Sequence, residues 1–206
     1  MPAARFYTPD AKSGSVFGLW ILPLILSTFG VVVISSMTGW SLSSPGLKQA
    51  AWFVIALGGF VVVTQIPLRF WYRYSLILLI FSFGLMLLTV FSPLRVTVKG
   101  ASRWLRLGPV NFQPLEIVSL VMMIFFSWHY EHIRSMWRAL FFTGFFFVPF
   151  ALVIMKQPDF GGLLMLGGIV GALFIEKYGF LLPIIGAVGL SPVLWYLANY
   201  GYRAER

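Results

Sequence analysis

YSLILLIFSFGLMLLTVF, residues 74–91, is eighteen residues without one charged side chain. A helix of about 20 apolar residues crosses the hydrocarbon core of a bilayer, and a run this long exceeds what a buried strand needs. Working outward, similar runs recur at Phe17–Thr38 and Ala50–Ile66 before it, and at Pro114–Trp128, Ala139–Met155, Gly161–Ile175 and Phe180–Asn199 after it. The composition agrees: 59% of the 206 residues are hydrophobic and 10% charged, where a soluble domain is near half apolar and a quarter charged. The predicted fold class is all-α, a multi-pass transmembrane bundle of about seven spans in a single integral membrane domain over residues 1–206. Pro23 is tolerated inside the first run because a neighbouring helix can satisfy the freed carbonyl. No small-residue cleavage site follows that run, so it is expected to remain rather than be removed as a signal.

Fifteen Lys and Arg against six Asp and Glu leave a net charge of +9, which favours anionic lipid headgroups or an anionic substrate; on so apolar a chain nucleic acid is excluded. The absence of Cys excludes disulfide frameworks, thiolate chemistry and Cys-ligated metals. Orientation follows from the basic residues of the short loops. A cytoplasmic N-terminus puts seven inside (Arg5, Lys12, Arg69, Arg73, Arg134, Arg138, Lys177) and eight outside (Lys48, Arg95, Lys99, Arg103, Arg106, Lys156, Arg203, Arg206). Four of the eight lie in one loop, 92–113, which carries no acid. With that loop set aside as functional, the count supports a cytoplasmic N-terminus and makes 92–113 a basic extracytoplasmic loop. Its alternation of cations and apolar residues from Lys99 to Leu107, bounded by Gly100 and Gly108, is expected to form a brief interfacial helix anchored by Trp104. Such a segment grips phosphate, either of ordinary anionic lipids or of a specific ligand.

Three motifs narrow the choice: Gly100-Ala101-Ser102-Arg103-Trp104-Leu105 with Leu107-Gly108; Phe112-Gln113-Pro114-x-Glu116; and Gln157-Pro158-Asp159-Phe160-Gly161. Together, and in this order, they resemble the SEDS family, which includes FtsW, RodA and SpoVE, and the wording of the first and third leans toward the FtsW branch. The resemblance implies a peptidoglycan glycosyltransferase that polymerises lipid II at the outer face of the bacterial cytoplasmic membrane, with a class B penicillin-binding protein as partner. It runs over the first seven of the family's usual ten helices, so a SEDS-type fold lacking the C-terminal helices is expected. In the reaction a sugar hydroxyl attacks the anomeric carbon of a second lipid-linked disaccharide, and a lipid pyrophosphate departs. Positioned Arg side chains, with Arg103 and Arg106 as candidates, or a divalent cation would stabilise that leaving group. Trp104, Gln113 and Gln157 complete the expected substrate-binding set. A carboxylate should deprotonate the attacking hydroxyl. The family assigns that role to an Asp after the seventh helix, beyond the last residue of this sequence.

Glu116 and Asp159 are the remaining candidates for the base and for substrate binding. Each has a structural alternative: Glu116 complements the positive end of its helix, and Asp159 caps the helix that follows it. The family pattern commonly has Ser before that Glu and Lys three residues after it; here Leu115 and Ser119 stand there, so Glu116 must find Lys156 or Arg103, or do without a counter-ion. No metal site is expected, since His129, Glu131 and His132 fall in an interfacial turn, and no nucleotide-binding glycine loop is present. Gly167 and Gly171 are expected to let the sixth helix pack closely inside the bundle. A lipid II transporter, or a non-catalytic lipid-binding partner of the division or elongation machinery, are the alternative functions.

Overall fold

The structure, a computed structural model, describes residues 13–38, 44–98, 100–108 and 110–180, with Gly186 and Pro192. Their order is α1 (Ser13–Thr38), α2 (Pro45–Gln65), α3 (Leu68–Phe91), β1 (Arg95–Val98), β2 (Ala101–Leu107), β3 (Val110–Phe112), α4 (Pro114–His132), α5 (Met136–Lys156) and α6 (Phe160–Tyr178). Among the described residues four helices, α2, α3, α5 and α6, are long and apolar enough to cross a membrane, and α1 contributes the shorter apolar stretch Ile21–Met37. The predicted seventh span falls almost wholly outside the described residues.

The chain forms two compact units, Met1–Pro67 and Leu68–Arg206. In the first, α1 packs on α2 where Gly46 meets Ser35; a Cβ at Gly46 would lie 2.8 Å from the Ser35 Cα, so only glycine allows the approach. Ser44 starts α2 by accepting from the Leu47 amide, with Pro45 in the first turn, and Pro67 follows its end.

In the second unit α4 is the central helix. Nine of its residues are buried, against five on α3 and four each on α5 and α6. Its Val118, Met122, Phe125 and Phe126 form the densest part of the core, where Phe125 stacks on Phe142 of α5. The face of α3 that meets α4 reads Ser75, Leu79, Ser82, Met86, Thr89, alternate steps of three and four that keep one side of the helix inward. Its hydroxyls are satisfied locally: Ser75, Ser82 and Thr89 each donate to the carbonyl three residues back, at 2.9, 2.9 and 2.6 Å, which removes the cost of burying them.

The loop 92–113 corrects the helical expectation. It is a three-stranded antiparallel sheet in the order β1-β2-β3, so the fold is mostly helical rather than all-α. The alternation around Arg103 to Leu107 has the period of a strand, and Val96, Thr97 and Val98 suit a pleated surface. Gly100 at φ 80° and Gly108 at φ 63° make the two tight reversals, which L side chains rarely permit. Gly167 and Gly171 are corrected too. A Cβ at Gly167 would meet only the Phe147 ring edge at 3.7 Å, and at Gly171 nothing within 4 Å.

Candidate functional site

The sheet is tied to one end of the second unit by sequence: α3 leads into β1, and β3 leads into α4. There it meets the turn between α5 and α6. The β1–β2 register explains the contact. Val96 pairs with Trp104 and Thr97 with Ser102, so the ladder steps over Arg103, a bulge that re-aims its side chain. One Arg103 Nη donates to the Pro158 carbonyl at 3.0 Å, and the other lies 3.4 Å from Asp159 Oδ1. The Arg103 side chain is 31% exposed and that of Asp159 only 4%. A carboxylate so buried needs compensation. It has the guanidinium and, at 2.9 Å, the backbone N–H of Gly162 at the start of α6. Asp159 is thus both helix cap and ion-pair partner, committed on both counts.

Gln157 is buried beside it, its side-chain amide donating to the Thr89 hydroxyl of α3. Gln157 also closes α5 through its backbone N–H, bonded to Ile154 and Val153 carbonyls at 3.0 and 3.2 Å. Gly162 matters as much. A Cβ there would collide with the Leu115 side chain of α4 and lie 2.6 Å from Asp159 Oδ2, so a larger residue at this position must displace one or the other. Thr89 and Gly162 were not singled out by sequence; the second glycine of Gly161-Gly162 was the available signal, whereas Thr89 gave none.

The other expected residues divide differently. Arg106 is exposed, and its side chain has no hydrogen bond or ion pair among the described residues, although its backbone N–H reaches the Leu94 carbonyl at 2.8 Å. Lys156, next to Gln157, is exposed and unpaired in the same sense. Arg95 donates to the Val90 carbonyl at 3.0 Å and so covers the end of α3. Trp104 and Gln113 are half-buried, and the Gln113 side chain does not cap α4. Glu116 is exposed in the first turn of α4 and pairs with neither Lys156 nor Arg103. Ser119 is buried, its hydroxyl donating to the Leu115 carbonyl at 2.8 Å, whereas Glu116, one turn before it, is exposed. Lys99 lies outside the described residues. At the other end of α4, His129 and His132 donate from Nδ1 to the Phe125 and Trp128 carbonyls, and Glu131 pairs with Lys177 at 3.2 Å.

Among the described residues, this end of the unit thus presents one unpaired cation on the braced sheet, Arg106, a second at the end of α5, Lys156, and one unpaired carboxylate, Glu116. The family model of cell cycle proteins named for FtsW, RodA and SpoVE matches residues 16–206. The chain belongs to this family. Its relatives include the probable peptidoglycan glycosyltransferase FtsW of Nitrosococcus halophilus, 31% identical over 168 residues, 77% of this chain and 42% of that protein. The corresponding FtsW of Saccharophagus degradans is 25% identical over 205 residues, 87% of this chain and 52% of that one. The chain therefore spans about half the length of these curated relatives or less. Among solved structures, a peptidoglycan synthase complex whose description couples polymerisation to crosslinking superposes with TM-score 0.75 at 21% identity, over 92% of this chain and 57% of that one. The rod shape determining protein RodA of Thermus thermophilus superposes with TM-score 0.72 at 22% identity, over 86% and 58%. These superpositions establish the fold shared across the SEDS family. Membership and the apolar helices make this a multi-pass membrane protein.

Proposed function

We propose that the chain provides the lipid-pyrophosphate-binding part of a SEDS peptidoglycan glycosyltransferase, with seven crossings, a cytoplasmic N-terminus and the sheet of residues 95–112 at the outer membrane surface. The observation that carries this is the division of labour between two arginines. Arg103 is spent on Asp159 and Pro158 and braces the sheet, which leaves the exposed Arg106 guanidinium free to meet a pyrophosphate. Lys156 adds countercharge at the neighbouring helix end. Charge developing on the departing lipid pyrophosphate is what such groups stabilise. The described residues hold no cluster of three or more acid or imidazole groups, so a divalent cation there would be held chiefly by the phosphate oxygens. A class B penicillin-binding protein is the partner this reading calls for.

Proton removal from the attacking hydroxyl is less well served. Asp159 is committed to its cap and its ion pair, and Glu116 is exposed and without a counter-ion among the described residues. That favours, as a second reading, a lipid-binding role without catalysis in this chain. Transport gains no support, because the described residues buried within α3 and α4 include no charged side chain.

Binding of lipid II by the purified chain in nanodiscs tests the proposal. Arg106→Gln should weaken lipid II binding several-fold while leaving undecaprenol, a neutral lipid with the same tail, unaffected; equal losses for both lipids refute the pyrophosphate assignment. Glycan formed with a cognate class B penicillin-binding protein supports the enzyme, and binding without glycan supports the second reading.

A further inference from the structure

Resting on that binding reading, we infer that Thr89 is a positioning residue for the phosphate-binding sheet, acting through Gln157 and the turn it anchors. Thr89 is 1% exposed on α3 and lies 68 positions from Gln157 in sequence. Its hydroxyl donates to the Met86 carbonyl at 2.6 Å and accepts the side-chain amide of Gln157. Only a hydroxyl performs both roles: it donates once and accepts on its lone pairs. Gln157, 2% exposed, is thereby pinned to α3 at the point where α5 stops. The next two residues present the Arg103 partners, the Pro158 carbonyl and the Asp159 carboxylate. Arg103 in turn sits at the bulge of β2, three residues before Arg106. A path of hydrogen bonds, one ion pair and the backbone of residues 157–159 therefore runs from the buried face of α3 to the strand that carries the exposed Arg106 guanidinium. The Arg103 Nε is buried without a partner, so nothing else among the described residues secures that guanidinium from its third nitrogen.

Loss of the Thr89 hydroxyl leaves a buried Gln157 amide unpaired, and its search for another partner releases the turn. Loss of Arg106 positioning then costs affinity for a pyrophosphate but not for a lipid tail.

The experiment compares Thr89→Val, Thr89→Ser and the double variant Thr89→Val with Gln157→Leu, each in nanodiscs. Affinity for lipid II is read against affinity for undecaprenol, alongside thermal stability and amide hydrogen exchange of residues 95–107. Thr89→Val should lower the preference for lipid II about tenfold, the scale of one unsatisfied buried polar group, and speed exchange in the sheet. Thr89→Ser should restore both. The double variant removes both polar partners, so stability should recover while the preference stays lost. If preference returns together with stability in the double variant, or if sheet exchange is unchanged in Thr89→Val, Thr89 only fills space and the inference is overturned. A wild-type chain that shows no preference for lipid II overturns the binding reading instead, and the exchange of residues 95–107 still decides whether Thr89 holds the sheet.

Discussion

At the scale of single residues, two adjacent glycines separate sequence motif from physical necessity. Gly161 ends the motif that marks the family, yet a Cβ there would find its nearest neighbour, Asp159 Oδ1, at 3.8 Å. Gly162 has no such room, with Leu115 and the Asp159 carboxylate against it. Gly161→Ala should therefore leave thermal stability unchanged, and Gly162→Ala should cost about 1–3 kcal/mol, because overpacking must move either the buried Leu115 side chain or the capping carboxylate. Equal melting temperatures for the two variants would show that the helix start relaxes freely. Asp159 and Arg103 were legible as types, a cap and a basic contact. That they hold each other was not, because 56 residues separate them and no local pattern encodes the pairing.

At the scale of elements, the helices outlast the apolar runs that announce them. The run Tyr74–Phe91 belongs to a helix that begins at Leu68, and the run ending at Trp128 belongs to one that continues to His132. Apolar length measures hydrocarbon thickness, whereas backbone hydrogen bonding continues wherever long or aromatic side chains can carry their polar tips outward. The extended ends are then stapled together. Tyr178, in the last turn of α6, donates to the carbonyl of Ile133, which ends α4, at 2.7 Å. Tyr178→Phe should cost about 1 kcal/mol, since that carbonyl has left its helix and loses its donor. Lys177→Gln breaks an exposed ion pair beside it and should cost less, a ranking that thermal unfolding of the two variants checks. The sheet was the element that sequence reading missed. Its period-two alternation was present, but short basic and aromatic stretches beside a membrane also suit an amphipathic helix, and glycine reversals distinguish the two only once strand partners are known.

At the scale of the whole molecule, the testable quantity is which end of the bundle faces outward. Asn111 and Arg134 are exposed and flank α4, whose 19 residues span about 28 Å, close to the hydrocarbon thickness. The chain has no Cys, so single cysteines report without background. Asn111→Cys should react with an impermeant thiol reagent in intact cells, and Arg134→Cys only after permeabilisation; the opposite pattern reverses the orientation and removes the sheet from the outer surface. Membrane residence, the apolar helices α2, α3, α5 and α6, the basic character of 92–113 and the family were all determined by sequence alone, because hydropathy, charge and motif wording are local properties that need no partner. Tertiary structure decided which of the two sheet arginines is paired. Arg103 and Arg106 are equivalent as letters, and only the bulge in β2, the buried carboxylate and the turn anchored on Thr89 make one a brace and leave the other exposed and unpaired among the described residues.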